Sequence, residues 1–440
     1  MRRAHSTLLA VVAAVAGGAG TSHFAHASTQ ASSPYAPFDQ LARVLVLVEN
    51  QYVEPAQRTK VIEGAIKGMV AELDPHSAYM NPAEFALFQS ETEGKFGGVG
   101  VEVDFRNEYV TVIAPIEGSP AARAGMKSGD QILSVNGKPM RGERIDKLVT
   151  LMRGPAGSKV RVVVRRAGVP DPLTFDLVRE EIHVTSVVGK RLDGDVAYLR
   201  LKQFQEGTHE ELLRAAAKLR SESKNPLAGV ILDMRSNPGG LVDEAEAVAD
   251  EFMGEGSIYS TRHRGKVIDE ARARPGGAFA TVPIVVLVNE YSASSAELVA
   301  GALQDSRRAS VVGAPTFGKG SVQTIYDLPG GAGMRLTTMR YYTPSGRSIQ
   351  AQGIRPDIAI ESKQVAPGDV VRESDLEGHL PAEGAATPVP GKVVVQPGAA
   401  PEGELGRDVP SNPSRGKDFP LSVGYQMLIK TIGDKRAAAP

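Results

Sequence analysis

The sequence contains no cysteine and no tryptophan among its 440 residues. Without cysteine the chain can form neither a disulfide nor a thiolate metal site, and the redox compartment cannot be inferred from thiols. Net charge is also nearly absent: 50 basic and 51 acidic residues argue against the basic surface that nucleic-acid-binding proteins carry. Potential metal ligands are not clustered, so we expect no metal and no cofactor.

Long hydrophobic runs are confined to the start of the chain. Arg2 and Arg3 precede an apolar stretch from Leu8 to Gly20, and Ala25-His26-Ala27 then has the small-x-small pattern of a cleavage site. We therefore predict a signal peptide over residues 1–27 and an exported, periplasmic protein. The alternative is an uncleaved membrane anchor, for which the stretch falls short of the roughly 20 residues that a bilayer needs.

The remaining length and a hydrophobic content of 42% allow two to four domains. Apolar residues at helical spacing, including Leu41, Val44 and Val48, predict a helical N-terminal domain over residues 37–92. It contains the turn Leu73-Asp74-Pro75-His76-Ser77, where Pro75, with Pro82 shortly after it, forbids continued helix and His76 is interpreted as structural.

Short runs of β-branched residues between Gly-rich turns predict a compact β-rich module over residues 94–181. Its entry, Gly97-Gly98-Val99-Gly100, has backbone N–H groups that could receive a peptide's C-terminal carboxylate, although a plain tight turn is the alternative. The segment from Ser119 to Gly137 resembles the helix, turn and strand signature of the PDZ fold.

From residue 183 to 362, apolar strands alternate with amphipathic helices, which predicts an α/β domain with a mainly parallel sheet. The whole chain is thus expected to be a multidomain α/β and α+β protein. Residues 363–416 are rich in Pro, Gly and Ala and are predicted to be a disordered linker. A helical pattern returns in the tail, residues 417–440.

Three segments of the α/β domain follow apolar strands: 233–240, 289–297 and 315–323. Sites in such sheets gather at the carboxyl ends of the strands. Ser292-Ala293-Ser294-Ser295-Ala296-Glu297 offers hydroxyl nucleophiles, and Phe317-Gly318-Lys319-Gly320 offers an amine, with no histidine between them. Gly239 and Gly240 precede a helix and could supply oxyanion donors, or form only a helix-start turn.

These segments resemble the carboxyl-terminal processing proteases, the tail-specific serine proteases of family S41 with an embedded PDZ domain. The resemblance covers about residues 37–362, and it implies Ser294 as nucleophile, Lys319 as general base, Gln323 as a further catalytic position and Asp305 as an acidic one. Arg235 with Gly239 and Gly240 matches the oxyanion-side segment. The chain departs from the pattern at Tyr291 and at Ser295-Ala296, so Ser295 is a rival nucleophile.

The implied function is a serine endopeptidase that cleaves exported proteins near their C-termini. Lys319, whose normal pKa is about 10.4, would need a depression of about three units, roughly 4 kcal/mol of desolvation, to act as a base. The N–H groups of Gly239 or Gly240 and of Ser295 would hold the oxyanion. A carboxylate beside Lys319 would oppose base function, so Asp305 could instead be structural.

Two other functions compete with this one. The segment from Gly313 to Lys319 imitates a phosphate loop, but Gly320 stands where the magnesium-binding hydroxyl should be. A catalytically silent PDZ scaffold would bind peptide tails without turnover. Whether the protein is a peptidase or a silent scaffold, we expect it to bind proteins or peptides with free, unstructured C-termini. An adaptor protein, a homo-oligomer and membrane association are further possible partners or states.

Overall fold

The computed structural model describes residues 35–106, 108–116, 118–143, 145–362, 370–383, 392–396 and 409–437. The predicted signal peptide lies outside the described residues. The chain divides into two compact units, residues 1–68 and 69–440. Within the described ranges, no helix is both long and apolar enough to cross a membrane.

The first unit contributes helical structure. Helix α1 spans Ala36–Gln51 and has a proline in its first turn, and α2 spans Arg58–Ala71, so its last three residues already belong to the second unit. The predicted helical domain extended to residue 92, but strand β1 (Ala78–Met80) and helix α3 (Pro82–Thr92) belong to the second unit. The prediction is corrected there because β1 pairs with a strand more than 250 residues later, which helical periodicity could not reveal.

The β-rich module begins where β2 (Lys95–Gly98) pairs with β9 (Glu180–His183). Between them lie helices α4 (Pro120–Arg123) and α5 (Ile145–Met152) and a six-stranded antiparallel sheet. Its strands are β3 (Val101–Arg106), β4 (Tyr109–Pro115), β5 (Gln131–Val135), β6 (Lys138–Pro139), β7 (Lys159–Arg165) and β8 (Leu173–Val178). The order β3-β4-β5-β7-β8, with β6 on β5, leaves β3 at an edge of the sheet.

The α/β domain is built on a seven-stranded sheet in the order β10-β11-β12-β15-β16-β19-β20. These strands are β10 (Val187–Leu192), β11 (Val196–Leu201), β12 (Gly229–Asp233), β15 (Ile284–Val288), β16 (Ala309–Gly313), β19 (Ile358–Ser362) and β20 (Lys392–Gln396). All neighbours pair in parallel except β10 and β11. Every residue of β11, β12 and β15 is buried, as expected for parallel strands covered on both faces.

One face of this sheet is covered by α6 (Thr208–Ser221), α7 (Val242–Phe252) and α8 (Ser295–Asp305), and the other by α9 (Phe419–Ala437). Buried residues of α9 recur every three or four positions, at Leu421, Tyr425, Leu428 and Ile432. The predicted tail helix therefore completes the second core of the domain.

A second, antiparallel sheet of five strands lies beside the parallel one. It contains β1, β13 (Ser257–His263), β14 (Lys266–Arg272), β17 (Ser321–Asp327) and β18 (Gly333–Tyr342). The long β18 pairs with β1, β13 and β17, so it joins the turn at Asp74 to the strand that follows Lys319.

The prediction of a linker throughout residues 363–416 is wrong for three segments, 370–383, 392–396 and 409–416. Strand β20 extends the parallel sheet, and residues 370–383 return to the domain with Glu373 completely buried. In the third segment, Val409 is buried in the core beneath α9, and the Ser411 carbonyl accepts from Asp193 N–H at 2.8 Å. Composition suggested too little apolar surface for folding, but hydrogen bonds and ion pairs to the domain hold these residues. Residues 363–369, 384–391 and 397–408 of the predicted linker lie outside the described residues.

Candidate active site

Three turns meet at the carboxyl ends of neighbouring parallel strands, as the sequence predicted. They follow β12, β15 and β16, which are adjacent in the sheet. Ala293 N–H donates to the Asn237 carbonyl at 2.9 Å, and Phe317 N–H donates to the Ser292 carbonyl at 3.0 Å. We call residues 233–240 the glycine turn, 289–297 the serine turn and 315–323 the lysine turn. The backbone of the serine turn is therefore hydrogen-bonded to both the glycine turn and the lysine turn.

Ser294 stands at the N-terminus of α8 in a strained backbone conformation. Its φ is +54° and its ψ is −117°, a region that non-glycine residues rarely occupy. Such strain persists only where the surroundings enforce it, and it is common at active sites. The residue is 9% exposed and lies at the N-terminus of α8, where the helix dipole favours negative charge.

One buried carboxylate connects Ser294 to the turn that carries Lys319. Glu297 Oε2 accepts from Ser294 N–H at 2.8 Å and from Lys319 N–H at 2.9 Å, so the two backbone nitrogens lie within the sum of these distances. Its Oε1 accepts from Gly318 N–H at 2.7 Å and from the Thr316 hydroxyl. Burial raises the pKa of Glu297 to about 7, while these four donors favour the ionised form.

The sequence pattern did not identify Glu297 as part of the site. Its spacing from Ser294 is that of a capping box, Ser-x-x-Glu, which signals the start of a helix. That signal alone could not show that the same carboxylate also binds the lysine turn.

The amine of Lys319 lies in surroundings that favour its neutral form. Burial lowers the pKa of Lys319 to about 8, and the positive charge of Arg335 acts in the same direction. The carboxylates of Glu373, Asp74 and Glu297 oppose this shift. Nζ forms no hydrogen bond or ion pair with any residue that the structure describes, so in the neutral form of Lys319 its lone pair is free to accept a proton.

The glycine turn after β12 packs directly against the serine. A Cβ added to Gly239 would lie 2.8 Å from Ser294 Cβ and 3.0 Å from Ser295 N. Gly239 N–H donates to Asn237 Oδ1 at 2.9 Å, so this group is already used within the turn. Of the three predicted oxyanion positions, Gly240 and Ser295 have backbone N–H groups with no protein acceptor among the described residues.

The hydroxyl of Ser295, the rival nucleophile, is buried and donates to the Gly240 carbonyl at 2.9 Å. It therefore helps to hold the glycine turn. Ser294 is in contrast the serine whose backbone N–H shares an acceptor with Lys319. This arrangement favours the assignment of Ser294 that the family resemblance implied.

Gln323 lies on β17 and belongs to a polar network beside the site. Its Nε2 donates to Ser321 Oγ at 2.9 Å and to Thr337 Oγ1 at 3.4 Å, and Thr337 Oγ1 donates to Asp74 Oδ1 at 3.1 Å. The structure describes no hydrogen bond from Gln323 to Ser294 or Lys319. The network brings the turn at Asp74 to the edge of the site.

Asp305 is not brought into this cluster. It ends α8, eleven residues after Ser294 and so roughly 16 Å along the helix. Its Oδ2 accepts from Ser345 N–H at 3.0 Å, and its Oδ1 pairs with Arg347. Although burial raises the pKa of Asp305, the hydrogen bonds from Ser345 and Thr343 outweigh burial and hold it below the usual value. The geometry matches the structural alternative for this residue.

Arg235, within the glycine turn, binds two carboxylates from neighbouring elements. Its guanidinium binds Asp233 at the end of β12 and forms two hydrogen bonds of 2.8 Å with Asp418, next to the start of α9, and the residue is 4% exposed. Burial alone would lower the pKa of Arg235, but the charge of Asp233 is the main attraction that offsets burial and keeps it above its usual value. The oxyanion-side segment is therefore tied to the C-terminal helix.

In the turn that imitates a phosphate loop, the backbone N–H groups already donate to acceptors within the protein. Besides the donors taken by Glu297, Gly320 N–H donates to Gln350 Oε1 at 3.0 Å and Thr316 N–H to the Ile354 carbonyl at 3.1 Å. All of residues 315–320 are described, and no cradle of free N–H groups remains among them, so the geometry disfavours the nucleotide-binding alternative.

The second predicted site, at Gly97 to Gly100, is partly paired. Gly97 and Gly98 belong to β2 and pair with β9, whereas Val99 and Gly100 lead into the edge strand β3. Gly100 has a φ of +73°, and an added Cβ would lie 2.2 Å from Ser119 Cβ, so only glycine fits. Helix α5 lies alongside β3. An extended peptide could thus add to β3 and place its end near Val99 and Gly100.

Comparisons with known proteins match each part of the chain. The model of peptidase family S41 matches residues 195–360, that of the PDZ domain matches 111–166, and that of the N-terminal domain of the activating protease CtpB matches 13–83. These matches cover both the β-rich module and the domain that carries Ser294 and Lys319.

Individual relatives match over most of their length. The chain is 44% identical to the carboxy-terminal-processing protease of Bartonella bacilliformis, over 78% of this chain and 81% of the relative. It is 34% identical to the carboxy-terminal processing protease CtpA of Bacillus subtilis, over 75% and 70%. The solved photosystem II D1 C-terminal processing protease is 30% identical, covering 77% of this chain and 91% of that one, with a TM-score of 0.45.

Proposed function

The chain belongs to the carboxy-terminal processing proteases of peptidase family S41, and from that premise we propose that it cleaves polypeptides with a Ser294–Lys319 dyad. It is a serine-type peptidase with a PDZ domain that binds protein or peptide substrates. The observation that carries the dyad is the shared acceptor: one carboxylate oxygen of Glu297 binds the backbone N–H of both residues.

In the proposed cycle, Ser294 Oγ attacks the carbonyl carbon of the scissile peptide bond while Lys319 Nζ accepts the hydroxyl proton. With a pKa of about 8, roughly a tenth of Lys319 is neutral at pH 7, which suffices for a general base. The resulting ammonium then delivers its proton to the leaving amine. Water then attacks the acyl-enzyme while Lys319 accepts one of its protons. Lys319 returns this proton to Ser294 Oγ as the bond between Oγ and the acyl carbon breaks, which releases the second product and restores the enzyme.

The oxyanion of each tetrahedral intermediate is assigned to the N–H groups of Gly240 and Ser295. Both donors are backbone groups beside Ser294, so they need little reorganisation when charge develops. Gly239, whose own N–H is used within the turn, instead provides the space that lets the turn approach the nucleophile.

Substitution of the two serines tests the nucleophile. We expect Ser294→Ala and Lys319→Ala to abolish turnover of a fluorogenic peptide, whereas Ser295→Ala should retain most activity because its hydroxyl only supports Gly240. Full activity of Ser294→Ala together with loss in Ser295→Ala would transfer the nucleophile to Ser295. Peptide binding without turnover in the unmodified protein would favour the silent scaffold.

Substrate tails are proposed to be selected by the PDZ domain. An unstructured C-terminus would pair with β3, and its carboxylate would be received by the N–H groups at Val99 and Gly100. Amidation removes the negative charge of the terminus, so the amide of a good peptide substrate should be cleaved much more slowly than the free acid. Equal rates of cleavage would refute this mode of selection.

The place of action is proposed to be outside the cytoplasm, on the basis of the N-terminal pattern up to Ala27. Expression of the chain with and without residues 1–27, followed by fractionation and N-terminal sequencing, tests this. Export with an intact first residue would indicate that the leader remains as an anchor.

A further inference from the structure

A segment that follows the family-matched region is fastened to the lysine turn. We call residues 372–383 the strap. Glu373 N–H donates to the Phe317 carbonyl at 3.2 Å, and the guanidinium of Arg372 reaches the carbonyls of Thr316 and Pro315 at 3.4 and 3.3 Å. At its far end the Pro381 carbonyl accepts from Arg340 Nη1 at 2.8 Å, on β18.

The side chain of Glu373 is the buried acid of the strap, with no exposed surface. Its Oε2 lies 2.7 Å from His76 Nε2, and its Oε1 accepts from Gln350 Nε2 at 2.7 Å. Gln350 in turn accepts from Gly320 N–H. Glu373 thus joins the turn at His76 to the lysine turn on both sides of Lys319.

Burying a carboxylate is costly, and its partners must compensate for lost hydration. Burial raises the pKa of Glu373, but the hydrogen bonds from His76 and Gln350 and the charges of His76 and Lys319 outweigh it and hold the pKa below its usual value. The carboxylate is therefore ionised at neutral pH. It faces Lys319 together with Asp74, Glu297 and the opposing cation Arg335.

We propose that Glu373 is a positioning residue for the Lys319 base, a role that rests on the proposed dyad. It acts in two ways. Its hydrogen bonds hold the Phe317 to Gly320 turn in place, and its charge stabilises the ammonium that forms when Lys319 takes the proton of Ser294. Without that charge, burial and Arg335 would leave Lys319 a weaker base.

The charge is tested by Glu373→Gln, which keeps the shape of the side chain. The pH dependence of kcat/KM and of inactivation by a fluorophosphonate would be measured, since the second reports on the serine and its base without peptide binding. Removing this negative charge should lower the pKa of Lys319, so the rising limb of both pH profiles should move about one pH unit lower. The plateau of kcat/KM should fall about threefold, because a weaker base accepts the proton less readily.

A matched control is Glu211→Gln on α6. Glu211 is 7% exposed and its Oε1 lies 2.8 Å from His183 Nε2, so the same kind of histidine–carboxylate bond is altered away from Lys319. The control should lose stability but keep the wild-type limb. An unshifted limb in Glu373→Gln, or an equal shift in the control, overturns the proposal.

A charge-conserving variant, Glu373→Asp, separates the two roles and also decides the matter if Glu373→Gln does not fold. Its limb should stay at the wild-type pH while kcat falls, because the shorter acid keeps the charge but not both hydrogen bonds. A displaced limb or an unchanged kcat would refute the assignment. Full activity in Lys319→Ala would instead refute the dyad itself, whatever Glu373 does.

Discussion

The close approach of Gly239 to Ser294 predicts a large loss of activity on adding a single methyl group. In Gly239→Ala the new Cβ would lie 2.8 Å from Ser294 Cβ and 2.9 Å from the Ala293 carbonyl oxygen. Ordinary contact begins at 3.4 Å, so the two turns must separate by about 0.6 Å. That displacement moves the nucleophile and the N–H of Ser295 together.

The magnitude follows from the tolerance of catalytic geometry. Misplacing a reacting group by about 1 Å costs about 100-fold, and losing one oxyanion donor costs about 100- to 1,000-fold. We therefore expect kcat/KM of Gly239→Ala to fall by about 100-fold, chiefly through kcat. The backbone conformation adds a second cost. Because φ at this position is +98°, a residue with a side chain lowers the free energy of unfolding by about 1–2 kcal/mol.

The backbone cost is isolated by Gly256→Ala. Gly256 has a φ of +94°, yet no atom lies within 4 Å of an added Cβ. Gly256→Ala should lose only this backbone contribution in urea denaturation and keep wild-type kcat/KM with a fluorogenic peptide, whereas Gly239→Ala should lose at least as much stability and most of its activity. Near-wild-type kcat/KM in a folded Gly239→Ala would refute the inference that this glycine is needed for the approach to Ser294.

Three further predictions concern charge. Because neutral Lys319 is the base, kcat/KM should rise about tenfold per unit of pH up to about pH 8 and then level off, and a flat profile would argue against the dyad. Glu297→Gln should lower stability by about 2–4 kcal/mol and abolish activity, since each oxygen of Glu297 faces two donors and an amide nitrogen can accept from neither; thermal melting and peptide assays would check this. Asp418→Asn should lower the free energy of unfolding by about 2 kcal/mol by weakening its paired bonds to Arg235, and an unchanged urea midpoint would contradict that.

The approach of the three turns was predictable because it depends on local pattern. Apolar strands followed by polar or glycine-rich turns place those turns at one edge of a parallel sheet. The pattern of strands and turns is therefore enough to assign Ser294, Lys319 and the two glycines to neighbouring turns. It could not assign which N–H group of the glycine turn is free, since that depends on how the side chain of Asn237 turns back.

The buried acids were not predictable for a different reason. Glu297 carries a local signal, the capping box, but its bonds to the lysine turn join residues about 20 positions apart. Glu373 lies in a segment of low hydrophobicity, and its partner His76 is 297 positions away. Composition averages over such a segment, whereas the burial of one acid depends on particular distant partners.

The ion pair between Arg235 and Asp418 also makes the support of the glycine turn depend on a helix that is synthesised much later than the turn itself. The two residues are 183 positions apart, and domains fold as the chain emerges, from the N-terminal side onward. A nascent or truncated chain that stops before residue 418 has its serine, lysine and glycines, but the charge of the buried arginine beneath the glycine turn is only partly compensated. The glycine turn therefore has its full set of ion-pair partners only once α9 has packed onto the sheet, and we expect a chain that stops before residue 418 to be less stable at this turn.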